Sequence, residues 1–222
     1  MDILYQDDRI LVCLKPAGVV STDEPDGMPA RIRAALGDAN ACVRTVHRLD
    51  AAVSGVMVFA RSRKASELLS AQIRARTFEK EYLAVLSGIP DTPEGTLRDL
   101  LLYDRSARMA RVCTAPGADV KQAALAYRVL DVQDGHALVH IRLFTGRTHQ
   151  IRIQFASRGL PLLGDRKYGA PEAAYPIALW SFRLRFSHPQ TGEPVEFHAF
   201  PPACAPWLPH QNALLSCKGD SL

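Results

Sequence analysis

The sequence predicts an α+β domain: a mixed, largely antiparallel central sheet flanked by helices, forming two lobes around a cleft. Three observations predict it. Apolar, β-branched runs outnumber helical ones, and most neighbouring runs are joined by short turns. The 222 residues, 47% hydrophobic and 23% charged, suit one large domain with a substantial core. No repeat, low-complexity tract or linker divides the chain, so a single domain over residues 1–203 is expected, followed by a peripheral, Pro-rich tail over 204–222.

The elements follow in order. Residues 3–14 predict two strands, Ile3–Tyr5 and Ile10–Leu14, around the acidic turn at Asp7 and Asp8, and "KPAG" from Lys15 to Gly18 breaks the run. "MPARIRAALG" predicts a short helix ending at Gly37, with Ile32, Ala35 and Leu36 on one side. "SGVMVFA", Ser54 to Ala60, is apolar and β-branched throughout, which predicts a strand buried on both faces. Ala65, Leu68, Leu69, Gln72 and Ile73 recur at helical spacing and predict a helix over Arg63–Arg76. "KEYLAVLSG" from Lys80 is a strand and Gly88–Leu97 a loop. Residues 108–130 predict a hairpin turning at Pro116 and Gly117, and His136–Phe144 a strand. "THQIRIQFASRG" predicts a helix capped by Thr148 and stopped by Gly159, and residues 179–200 close the chain with a hairpin.

The net charge is +4, and 21 of the 27 basic residues are Arg. A guanidinium fork suits phosphates and bases, although an Arg-rich codon bias produces the same count. Five Cys show no CxxC and no metal-ligand spacing, which reads as reduced thiols. The acidic start lacks a signal-peptide layout, and no apolar run approaches the ~18 residues of a membrane span. A soluble, cytoplasmic protein is expected. There is no phosphate-cradling GxxxxGK[ST], no dinucleotide-binding GxGxxG, no GxSxG elbow and no His/Cys metal cluster. His136 and His140 are spaced i, i+4 but fall on a strand, where that spacing makes no metal face. What remains for chemistry is a carboxylate, a tyrosine and arginines.

Three stretches supply them: "HRLDAAVSG" (47–55), "KEYLAVLSG" (80–88) and "TGRTHQIRIQFASRGLPLLGDRKYG" (145–169). Taken singly, Asp50 reads as a turn residue, Tyr82 as a core aromatic, and Arg48 and Arg152 as halves of ordinary ion pairs. Taken together, from Ile3 to Phe200, the chain resembles the RluA-type RNA pseudouridine synthases. These carry HRLDxxTSG, a KxY strand, and TGRxHQIR followed by a GD..YG segment. Val53 stands where the family usually has Thr, and Lys15 in "KPAG" also fits the family pattern.

The resemblance implies a catalytic domain that isomerises specific uridines of rRNA or tRNA to pseudouridine, with no cofactor and no metal. Asp50 is the implied catalytic carboxylate, Arg152 the cation that keeps it ionised, and Tyr82 the residue lying against the uracil. The carboxylate can attack C1′, attack the base or take a proton from the sugar. Arg48 is associated with extruding the target base. RNA contact is further expected at His47, which also shapes the loop, and at Arg147 and His149. Gly164–Asp165 and Tyr168–Gly169 are expected to hold a turn. The implied partner is RNA, with no membrane, and the chain is expected to be a monomer. Two rivals compete: an inactive RNA-binding protein of the same fold, and a hydrolase of glycosidic bonds. The latter needs a second carboxylate, for which Asp165 in the third stretch is the candidate.

Overall fold

The computed structural model describes residues 1–169 and 175–216. The strands run β1 (Ile3–Gln6), β2 (Ile10–Lys15), β3 (Arg44–Thr45), β4 (Ser54–Ala60), β5 (Glu79–Leu86), β6 (Glu94–Asp104), β7 (Met109–Cys113), β8 (Lys121–Gln133), β9 (His136–Leu143), β10 (Leu179–Ser187) and β11 (Pro194–His198). The helices are α1 (Met28–Leu36), α2 (Arg63–Ala75), α3 (Gln150–Ala156) and α4 (Gln211–Ser216). The mixture is α+β, as expected. The single domain expected over 1–203 divides into two compact units, one of Met1–Lys80 with Trp180–Phe200, the other of Glu81–Leu179 with the chain from Pro201.

In the first unit β1 pairs with β2, β2 with β4 and β11 with β10, all antiparallel, whereas β4 and β10 run parallel. β3 adds a short antiparallel pairing at the far end of β4. The apolar run of β4 is buried from Gly55 to Ala60, which matches a strand covered on both faces. α2 covers one face: Ala65 and Leu69 pack with Val56, Val58, Leu184 and Phe186, and Phe78 stacks on Phe186 at 4.9 Å. Its start is fixed by Ser62, whose hydroxyl accepts from the Ala65 amide at 3.1 Å. Gln72, counted on the apolar face in the sequence, instead bonds the end of β10: its amide donates to Ser187 O and accepts from Ser187 N, both at 2.8 Å.

The second unit is an antiparallel run in the order β5-β9-β8-β6-β7. Two expectations change here. Glu94–Leu97 belongs to β6 rather than to a loop, and β7 does not form a hairpin with β8, because β6 lies between them and pairs with both. α3 begins after His149, whose backbone is left-handed (φ 56°); Thr148 is exposed and does not cap it. The expected peripheral tail is packed as far as residue 216. Trp207, His210 and Leu214 are buried, and His210 Nδ1 lies 2.8 Å from Asp131 Oδ2 on β8. Residues 217–222 of that tail, Cys217 among them, lie outside the described residues.

The parallel pairing of β4 and β10 places Gly55 against Ser181. Gly55 has φ 119°, and a Cβ there would run into the Ser181 carbonyl and amide. Gly55→Ala is expected to destabilise the protein by about 2–4 kcal/mol through combined strain and overpacking. A urea midpoint equal to that of the wild type would show that the two strands separate without loss.

Candidate active site

The HRLD loop belongs to the first unit. Asp50 opens a turn closed by the Val53 amide on its carbonyl at 3.0 Å, just ahead of β4. Two buried side chains fix the residues on either side of it. The Ser21 hydroxyl accepts from Leu49 N at 3.0 Å and donates to Leu49 O at 2.8 Å. Lys15, 1% exposed, donates from Nζ to the carbonyls of Pro16, Ala51 and Val53 at 2.9, 2.9 and 2.7 Å. Burial pushes the Lys15 ammonium down to about 8, against the pull of the Asp50 charge. Val53 is 2% exposed and offers the lysine only its carbonyl, so a methyl serves where the family has a hydroxyl.

His47 shapes the same loop from inside. Its Nε2 accepts the Val58 amide at 3.2 Å, and its ring packs against Phe78. Burial, assisted by the charge of Lys80, pushes the imidazole down to about 3 and keeps it neutral. Only 7% of its surface is exposed. Arg48 is exposed.

Tyr82, Arg147, His149 and Arg152 belong to the second unit. Tyr82 is buried in β5, opposite Ile141 of β9. The TGRTHQ turn is held by buried Gln150, whose side-chain oxygen accepts from Thr145 Oγ1 at 2.7 Å and Arg147 N at 3.0 Å, while its amide donates to Ala124 O. Arg147 is exposed and reaches Gln122 O through Nε. His149 Nδ1 lies 2.7 Å from the Tyr168 hydroxyl, which also accepts the Ala110 amide of β7.

Arg152 sits in the first turn of α3, where the helix dipole disfavours a cation. Asp165 compensates with a two-pronged pair, Nε to Oδ2 and Nη2 to Oδ1, both 2.8 Å, and both side chains are buried. Burial by itself would raise the Asp165 carboxyl; the hydrogen bonds and charge of Arg152, with the amides of Lys167 and Tyr168, outweigh it and hold the group below the usual range. The guanidinium also lies 5.1 Å from the centre of the Tyr168 ring. Asp165 therefore holds the expected turn and also orients Arg152, a role that its GD..YG surroundings did not reveal. No group of three His, Cys, Asp or Glu among the described residues is placed to hold a metal ion, and no helix there is long and apolar enough to cross a membrane.

Residues 9–157 match the family described as RNA pseudouridylate synthase. The chain is 37% identical over 207 residues to the dual-specificity RNA pseudouridine synthase RluA of Escherichia coli, covering 89% of this chain and 91% of that one. This chain belongs to the RNA pseudouridylate synthase family. It is an RNA pseudouridine synthase and hence an isomerase. The synthase is also 33% identical over 210 residues to the uncharacterized RNA pseudouridine synthase YhcT of Bacillus subtilis, covering 91% of this chain and 69% of that one. Its fold matches the human RNA pseudouridylate synthase domain containing 1 with a TM-score of 0.78 at 25% identity, over 93% of this chain and 85% of that one.

Removing the carboxylate of Asp165 takes the two-pronged partner away from a buried cation. Asp165→Asn is expected to destabilise the synthase by about 3–5 kcal/mol; a loss of unfolding free energy below about 1 kcal/mol would mean that the pair is not needed for folding. For Lys15 the unfolded chain holds its proton up to about pH 10.4, whereas the folded chain releases it near 8. Between those values the unfolded state binds more protons, so the Lys15 contribution to stability rises with pH. The difference in unfolding free energy between wild type and Lys15→Met should climb across that window; a flat difference would place the lysine's titration elsewhere.

Proposed function

We propose that this synthase isomerises uridines of rRNA or tRNA with Asp50 as its catalytic carboxylate. The chemistry breaks the C1′–N1 bond, turns the base, forms C1′–C5 and releases the C5 proton. An ionised carboxylate at a fixed position can act as the nucleophile or balance positive charge developing on the ribose. The observation that carries the reading is the double grip on the Asp50 turn, Ser21 on Leu49 and Lys15 on Ala51 and Val53. Such rigidity has a use if the residue between them must meet a substrate atom.

In this reading Arg152 is the accompanying cation and Tyr82 lies against the uracil as a candidate acceptor of the C5 proton. Arg48, exposed beside Asp50, takes the space of the extruded base, and Arg147 and His149 face RNA at the entrance to α3. Dual specificity in the E. coli relative supports a substrate range wider than one RNA. Residues 1–203 would be the catalytic domain of a cytoplasmic monomer working without metal or cofactor; Cys13, Cys42, Cys113 and Cys204, all free thiols, fit a reducing compartment. Glycosidic hydrolysis has less support, because the other carboxylates the motifs offer, Asp165 and Glu81, are both buried and engaged, Asp165 by Arg152 and Glu81 by His140 at 2.7 Å.

Asp50→Asn keeps the side chain's shape and is expected to lower isomerisation by at least about 10⁴-fold while RNA affinity is kept. Pseudouridine mapping of total RNA from source cells with the gene, without it, and with Asp50→Asn restored identifies the target in the same experiment. A site rescued equally by Asp50→Asn and wild type would sink the assignment.

A further inference from the structure

Lys80, the first residue of the KxY strand, is partly buried at the end of the first unit, and no hydrogen bond or ion pair reaches its ammonium among the described residues. The chain treats other lysines differently: Lys15 is given three carbonyls and Lys167 donates to Arg108 O at 2.7 Å. The acid beside Lys80 does not answer it. Glu79 points to the other side of the strand by alternation and lies 4.0 Å from Arg185.

The charge of Lys80 also helps keep the buried His47 ring neutral, so its field reaches the residue that begins the HRLD loop. His47 brings no acceptor. Its Nε2 is occupied by the Val58 amide, so Nδ1 carries the proton, and Nδ1 is buried with no partner. Neither the Lys80 ammonium nor the His47 Nδ1 donor is met by a hydrogen-bond or ion-pair partner among the described residues. Burial also lowers the Lys80 pKa, the sign of an ammonium poorly served by water. A side chain in such a place folds more easily as an apolar one of the same length. The cation is satisfied if an anion arrives from outside, and the polyanion this protein handles is RNA.

We propose that Lys80 receives a backbone phosphate of the RNA substrate next to the target uridine, two residues before Tyr82 on the same strand. The inference rests on the RNA synthase reading above. Lysine suits the task as a point charge: it binds phosphate without reading a base.

The test uses the full chain, an unmodified tRNA transcript pool as probe, and the variants Lys80→Met and Lys80→Arg. Expected for Lys80→Met are an affinity about tenfold weaker at low salt and a salt slope shallower by about 0.7–0.9, the share of one phosphate. KM should rise with kcat little changed, the melting temperature should stay level or increase, and Lys80→Arg should restore the slope. An unchanged slope overturns the proposal. So does a fall in kcat at constant KM, which would put Lys80 on the base or the reacting atoms. A melting temperature several degrees lower with the slope intact would make it a packing residue and equally overturn the proposal. Release of tritium from C5-labelled RNA by the wild type checks the underlying reading separately; its absence would fail that reading, whatever the Lys80 variants do.

Discussion

Folding takes the Lys15 ammonium out of water, and a cation can stay there only where acceptors surround it. Three backbone carbonyls do so, and two of them, from Ala51 and Val53, belong to the turn that carries Asp50. The end of β2, the "KPAG" break and the entry to β4 are thereby tied to one side chain. Ser21 fixes the other flank through both polar atoms of the Leu49 backbone. The Asp50 turn is thus held from both flanks by the buried side chains of Lys15 and Ser21.

The second unit solves the same problem with opposite charges. Arg152 is buried at a helix start, an electrostatically poor place for a cation, and Asp165 reaches it with both carboxylate oxygens. Asp165 is in turn held by the amides of Lys167 and Tyr168, and Tyr168 anchors His149 and the β7 amide of Ala110. Removing one member of such a chain therefore disturbs groups well beyond its own contacts. Both units place a buried cation at a motif and build the motif's loop around its acceptors.

The strands and helices with strong periodicity were legible in the sequence. β4 announced itself by an unbroken apolar run, and α2 by its i, i+3, i+4 spacing. The pairing of β7 with β6 was not, because register between strands depends on contacts that alternation does not encode. Thr148 looked like the better cap by residue type, yet the chain uses a left-handed His149 and the side chain of Gln150 to start α3. The motif residues themselves could be named in advance, while the roles of Lys15, Ser21 and Asp165 could not. Lys15 and Ser21 act on backbone atoms, and Asp165 acts on a side chain thirteen positions away; neither relation leaves a pattern along the chain.

The first unit is interrupted in sequence, and the parallel neighbour of β4 comes from β10, after the whole of residues 81–179. A ribosome therefore releases the Asp50 turn long before the strand that lines up beside it exists. Until then β4 offers an open, apolar edge of the kind that pairs with the wrong partner. The intervening residues, with mostly local antiparallel pairings, can fold during that delay. The pairing of β4 with β10 is thus a late event of synthesis, and a chain broken off before Trp180 would carry every residue of the three motifs without the strand that lies beside Ser54 and Gly55.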